Sequence, residues 1–256
     1  MPNHVINHLT FSGIGEKELD LLQSVGQDDC LATLDFSKII PMPAELDMES
    51  GSRTIDGLKA YSTYMDSAKE DTPDKEAQFR AAHPNISDAT WNIGKQAYQN
   101  VQKYGAPTWY EWRVKNWGTK WNSYDASGIF KEGEKCTMSF STAWSAPIPI
   151  LKKLSEMLPD VEITHRWADE DIGSNCGIVL WKNGNALKTY LPEFGKESVE
   201  FAKSMWDSTP ADFHRPHKNN VAHDVSVEGS ADIMDDFSPD AFDPHEQTGD
   251  EQAPTM

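Results

Sequence analysis

Trp109, Trp112, Trp117 and Trp121 place four of the chain's nine tryptophans between positions 109 and 121, with Arg113, Lys115 and Lys120 set among them. The first two are three apart and the last two four apart, so each pair shares a face if the segment is helical. Aromatic rings beside cations can stack nucleic-acid bases, at ~1–3 kcal/mol per base. Trp109, Trp112, Arg113, Lys115, Trp117, Lys120 and Trp121 are therefore candidate contacts to single-stranded nucleic acid. The same composition also suits a core in which rings are buried and cationic stems lie across them. The sequence leaves both readings open.

A second constellation lies near the C-terminal end. After Lys218 there is no Lys or Arg, but there are ten acids, from Asp224 to Glu251. Removing those ten from the 41 acids leaves 31 against 23 bases, a net of −8 for residues 1–218 and more than half of the chain's −18 in the rest. That stretch cannot build a core, so disorder is expected of it. Ile233, Met234, Asp235, Asp236, Phe237 and Phe242 are its candidate partner-binding residues. Apolar anchors supply affinity there, and acids steer toward a basic protein surface. In this it resembles the C-terminal tips of bacterial and phage single-stranded-DNA-binding proteins, although here the anchors are internal and the chain ends in QAPTM.

Other chemistry is weakly signalled. His214 and His217, with His223 nearby, resemble half a metal site, but no clustered second pair completes four ligands. No metal or cofactor is expected. His4 and His8 share a face if their segment is a strand. Asp169, Glu170 and Asp171 form an acid run with no partner fixed by sequence, and neither a Walker A loop, a G-x-G-x-x-G nor a G-x-S-x-G is present. An enzyme has no positive signal. Cys30, Cys136 and Cys176 are odd in number and far apart, which predicts reduced thiols, not a disulfide framework. With no apolar run of membrane-spanning length and no secretory pattern at MPNHVINHLTFSG, the expected compartment is a bacterial cytoplasm.

The elements that would position these residues follow from periodicity. His4 to Phe11 alternates as a half-buried strand, with Val5, Asn7, Leu9 and Phe11 on one face. Glu16 to Val25 suits a short helix before Gly26, and Leu34 to Ile40 reads as a second strand stopped by Pro41 and Pro43. From Glu45 to about Gly105 the pattern is helical and polar, including a helix capped by Ser87 or Asp88 and closed by Gly105. Strands are predicted over Cys136–Ser141, Val161–Trp167, Cys176–Trp181 and Ala186–Leu191, the last two joined by an Asn183-Gly184 hairpin turn. Between them, Ile148, Ile150, Leu151, Leu154 and Leu158 mark a buried helical stripe, and a last helix runs from Lys196 to Trp206.

Two β-α-β units of this kind predict an α+β, ferredoxin-like split β-α-β sandwich: an antiparallel sheet with helices on one face. The expected organisation is a core of residues 1–45 and 105–207, a helical insertion over 46–104 and an acidic, disordered tail over 208–256. NHLTFSG near the start, KIIPMP at 38–43, NWGTKWNSYD at 116–125 and FSTAWSAPIPILKKLSEMLPD at 140–160 resemble the YubB-type family of plasmid and phage proteins. That resemblance implies a ferredoxin-like domain and an origin in a mobile element. It supplies no catalytic residues. With no C-x-x-C run, the fold name implies no iron–sulfur cluster here. The function expected is that of an interaction protein acting on host nucleic-acid-handling or defence machinery. The alternatives are a single-stranded nucleic-acid-binding protein with an acidic regulatory tail, which the net of −8 disfavours, and an enzyme of unknown class.

Overall fold

The computed structural model describes residues 2–29, 33–68, 70–133 and 135–208. Among them are six strands: β1 (His4–Ser12), β2 (Tyr124–Glu132), β3 (Lys135–Ala143), β4 (Glu162–Asp169), β5 (Cys176–Lys182) and β6 (Asn185–Tyr190). They form one sheet in the order β2-β3-β1-β4-β5-β6, every neighbouring pair antiparallel. Helices α1 (Glu16–Ser24) and α7 (Ile148–Met157) lie in the crossovers β1→β2 and β3→β4. The four strands β2-β3-β1-β4 with those two helices are the ferredoxin-like arrangement. β5 and β6 extend the sheet beyond β4 as a meander. Their turn has positive φ at Asn183 (47°) and Gly184 (75°), as an Asn-Gly hairpin requires.

One face of the sheet carries the main core. Val5, Leu9 and Phe11 of β1, Met138 and Phe140 of β3, and Ile163 and Trp167 of β4 pack against Leu22 of α1 and Ile150, Leu151 and Leu154 of α7. The opposite face takes α8 (Lys196–Trp206): Ala202 and Met205 meet Ala168, Cys176 and Ile6. The two crossover helices thus share a face, as expected, and α8 adds a partial cover on the other.

The strand expected at 34–40 is not formed. Phe36–Ile39 is instead a short helix, α2, capped by Asp35, whose carboxylate accepts from the Ser37 N–H at 2.9 Å. Leu34 and Phe36 are buried at a spacing of two, which imitates strand alternation over so short a run, while Ile39 is buried at the helical spacing of three from Phe36. The strand that completes the first crossover is β2, after the insertion. Its register against β3 shifts twice, between Tyr124 and Ser127 and between Ser127 and Phe130. Bulges of this kind erase the period-two signal. The insertion therefore sits inside the first β-α-β unit and does not join two complete ones.

That insertion is built from α3 (Ser52–Ala68), α4 (Pro73–Ala82) and α5 (Asp88–Tyr104) around Tyr61, Tyr64 and Trp91. Ser87 caps α5, and Gly105 ends it at φ +71°. The buried stripe of α5 is Trp91, Gly94, Ala97 and Asn100, because α3 and α5 touch at Gly57 and Gly94: a methyl on Gly94 would lie 2.1 Å from the Gly57 carbonyl oxygen. Asp71 accepts from the hydroxyls of Tyr61 (2.8 Å) and Tyr64 (3.0 Å) and pairs with Lys95 at 3.0 Å. Lys95 also meets Glu76, whose other oxygen accepts from the Trp91 indole at 2.7 Å.

Polar groups also enter the centre of the sheet. Asn7 donates to Thr142 Oγ1 at 2.9 Å and stands 3.0 Å from Nε2 of the fully buried His165. Burial lowers the pKa of His165 to about 3, and burial, with Arg166 and His165, lowers that of His8 to about 3. Both rings are neutral in the folded state and charge only on unfolding below their ordinary value of 6.5. Stability from this source is complete above pH 6.5 and falls as pH drops toward 3, by up to about 1.4 kcal/mol per pH unit per histidine. Urea titrations between pH 7 and about 4 are expected to show that loss, with a shallower slope for His165→Gln. In the same assay, Leu154→Ala is expected to cost ~2–5 kcal/mol as a core truncation; below ~1 kcal/mol, α7 would not be a core helix.

Candidate functional site: an aromatic and cationic surface

The tryptophan-rich segment forms α6 (Trp109–Trp117). Thr108 caps it, accepting from the Tyr110 N–H at 3.3 Å and donating to Glu111 at 2.5 Å. Gly118 closes it at φ +81°, pressed against Pro149 and the Ala146 carbonyl so closely that a Cβ would lie within 3.0 Å of both. The next segment is thereby turned back across the end of β3.

This geometry divides the candidates. Trp112 and Trp117 are buried and meet edge to face at 6.2 Å; the Trp117 indole donates to the Ile40 carbonyl at 2.9 Å. Neither ring is free to stack on a ligand, so the core reading holds for these two. Lys115 is exposed. Arg113 lies between Trp109 and Trp117, its guanidinium carbon 5.0 and 4.7 Å from the two ring centroids. Burial lowers its pKa, with Asp47 acting in the opposite sense. Lys120 sits 4.2 Å from the Trp121 ring and 3.9 Å from that of Trp144. Contacts of this type contribute about 0.5–2 kcal/mol, most when shielded from water.

The half-buried rings are continuous. Trp109 meets Tyr110 at 5.8 Å and Tyr110 meets Trp144 at 6.2 Å. Lys120 bridges Trp144 to Trp121, which meets Tyr124 at 6.2 Å. The Tyr124 hydroxyl reaches Nδ1 of His4 at 2.7 Å and donates to the Thr142 carbonyl at 3.1 Å. Burial, then the charges of Asp125 and Glu170, pushes the Tyr124 pKa upward, so it stays a neutral donor. Exposed Glu111 and Asp125 flank the row.

Trp144 stands apart in this row. Its φ is +70°, a left-handed conformation that a bulky side chain rarely adopts and that costs about 1–3 kcal/mol. The surroundings hold it there. Its N–H donates to the Asn3 carbonyl at 2.9 Å, and its carbonyl accepts from Asn175 Nδ2 at 2.9 Å. Asn175 and Asn3 are in turn fixed by Asp169, at 3.2 and 3.3 Å. Asp169 is buried, and burial raises its pKa despite hydrogen bonds from Asp171, Asn175 and Asn3. The first acid of the 169–171 run therefore braces a loop. Sequence reasoning missed Trp144; the only cue is a tryptophan between a strand and Ser-Ala-Pro.

The remaining candidates are scattered or out of view. His4 and His8 do share a face of β1, but His8 is buried beside Arg166 while His4 meets Tyr124. Cys136 and Cys176 are buried free thiols, the first with its pKa pushed up to about 11 by burial. Cys30, the histidines 214, 217 and 223, and the tail residues Ile233, Met234, Asp235, Asp236, Phe237 and Phe242 lie outside the described residues. Among the described residues no group of three or more His, Cys, Asp or Glu could hold a metal, and no helix is long and apolar enough to cross a membrane.

Residues 116–209 match the family model described as the ferredoxin-like domain in Api92-like protein. The match begins at the last turn of α6 and runs through α8, so it takes in Lys120, Trp121, Tyr124 and Trp144. The crystal structure of a protein api92 from Yersinia pseudotuberculosis is similar at 10% identity and a TM-score of 0.40, over 76% of this chain and 99% of that one. No curated protein matches.

Trp144→Gly and Trp144→Ala remove the same ring, but only glycine accepts positive φ without strain. Trp144→Gly is expected to be about 1 kcal/mol the more stable of the two in urea denaturation. Equal stability would mean that the loop relaxes and that the strain is not imposed by Asn3 and Asn175.

Proposed function

We propose that this protein works by binding, as an interaction protein of a phage or plasmid whose target is host nucleic-acid-handling or defence machinery. The origin rests on the resemblance to the YubB-type family. The observation that carries the binding role is Trp144, held in a strained conformation with its half-exposed ring under Lys120, inside an unbroken row from Trp109 to Tyr124. Backbone strain concentrates where function requires it. Tryptophan, tyrosine and arginine are also the residue types that dominate protein-binding hot spots. The acidic residues after Lys218 complement this surface by steering toward a basic partner.

A second reading takes the same row as a platform for single-stranded nucleic acid. Its support is the cation–ring pairing at Arg113 and Lys120; the net of −8 over residues 1–218 and the flanking Glu111 and Asp125 count against it.

The test couples capture from a host lysate to titration with an oligodeoxythymidylate. Trp121→Ala with Trp144→Gly is expected to lower recovery of one host protein at least about tenfold, or ~1.4 kcal/mol. Phe237→Ala with Phe242→Ala is expected to weaken the same capture without moving the melting temperature. Oligonucleotide binding that quenches tryptophan fluorescence, weakens steeply with salt and is lost in the Trp121/Trp144 variant would replace the first reading with the second.

A further inference from the structure

Among the described residues, Arg166 of β4 is the arginine that no carboxylate answers. Arg53 and Arg80 pair with Glu49 and Asp88, and Arg113 lies between two rings with the charge of Asp47 acting on it. The guanidinium carbon of Arg166 meets the Phe201 ring, 5.3 Å from its centroid, and its Nε is buried without a hydrogen bond among the described residues. Burial lowers its pKa, yet an arginine stays charged in a protein. A guanidinium withdrawn from water with no counter-charge costs free energy until an anion reaches it.

The sheet register shows what surrounds it. Ala168, two residues along β4, packs with Ile6 against Ala202 and Met205, so Arg166 lies on the face that carries α8. Beyond that cover the face turns polar. His8 stands directly opposite Arg166, and Ser139 of β3 and Ser127 of β2 continue the same row. Ser127 Oγ is also buried without a hydrogen bond among the described residues. The next row sets Thr10 opposite Thr164. Opposed and diagonal neighbours have Cβ atoms about 5 and 7–8 Å apart, within the reach of a long side chain. The nearest acid along this face of β4 is Glu162, and it is held by Lys182 at 3.1 Å.

From this arrangement we propose that Arg166 anchors a binding site for a phosphate group on the sheet face beside α8. A guanidinium takes two phosphate oxygens in a planar fork. The hydroxyls of Thr10 and Thr164 then serve as donors to the remaining oxygens, which a carboxylate does not have. A phosphorylated small molecule and a nucleic-acid backbone both present this chemistry, and the experiment separates them. The site shares no side chain with the aromatic row, so either proposal can fail without the other.

The full chain is titrated with sodium phosphate, replacing chloride at constant ionic strength. Melting temperature and the ring resonances of His8 are followed together. Saturable movement of the His8 signals in the millimolar range is expected, because the charge of Arg166 already acts on that ring. Arg166→Gln is expected to weaken phosphate binding at least about tenfold. Because it removes an unanswered charge, it is also expected to melt no lower than the native chain in phosphate-free buffer. Arg166→Met, which keeps an apolar stem against Phe201, is expected to behave in the same way. Phosphate that leaves the His8 signals unmoved, or that raises the melting temperature of all three chains equally, overturns the proposal. So does a large loss of stability in both variants without phosphate, which would make the guanidinium a packing element. Two further ligands, a nucleoside monophosphate and an oligodeoxythymidylate, are read by the same His8 signals and the same sensitivity to Arg166→Gln. Tighter binding of the first supports the site as one for a phosphorylated small molecule, and tighter binding of the second supports it as one for nucleic-acid backbone.

Discussion

Asn7 ties three strands together from inside the core. Its amide donates to Thr142 on β3, and its carbonyl oxygen meets His165 on β4, residues 135 and 158 positions away in the chain. Each of these groups is buried, so an unmade bond would cost its full desolvation penalty, of order 1–3 kcal/mol. The constraint therefore acts less as glue than as a specification. Only one register of β1 against its two neighbours satisfies all three side chains. That register places His4 beside Tyr124 and brings the Asn3 carbonyl to the Trp144 N–H. The aromatic surface is thus set by a polar contact in the sheet.

The surface itself is a compromise between core and site. Trp112 and Trp117 serve packing, while Trp109, Tyr110, Trp121, Tyr124 and Trp144 keep part of each ring accessible. Arg113 lies across one ring of each group and Lys120 across two of the accessible ones, and both restrict their motion. Side chains ordered before a ligand arrives lose less entropy on binding, which raises affinity without adding contacts.

Much of the fold was legible because its signals are local. The Ser87 cap and Gly105 terminator of α5, the Asn183-Gly184 turn and the apolar stripe of α7 each reside in a few adjacent residues. The errors fell where the deciding interaction is distant. Whether Phe36–Ile39 becomes helix or strand depends on Asp35 and on Asn122, which accepts from the Phe36 N–H across the fold. β2 is obscured by its own register shifts, and the Gly57–Gly94 approach needs two helices brought together. For the site, the tryptophan run announced itself, but its split into buried and accessible rings did not. Trp144 gave least warning, since its conformation is imposed by Asn3, Asn175 and Asp169 from three other places in the chain.

Placing the helical insertion inside the first crossover has a consequence for synthesis. β1 is made first, yet both of its partners, β3 and β4, lie beyond residue 134. At translation rates of about 5–20 residues per second, β1 waits for roughly ten seconds with both edges unpaired. During that wait α3, α4 and α5 can close on Tyr61, Tyr64 and Trp91 through contacts that are close in sequence, and helical units of this kind assemble in microseconds to milliseconds. The insertion then behaves as a bead on the nascent chain. It draws together the two ends of a long loop before the sheet that needs them exists.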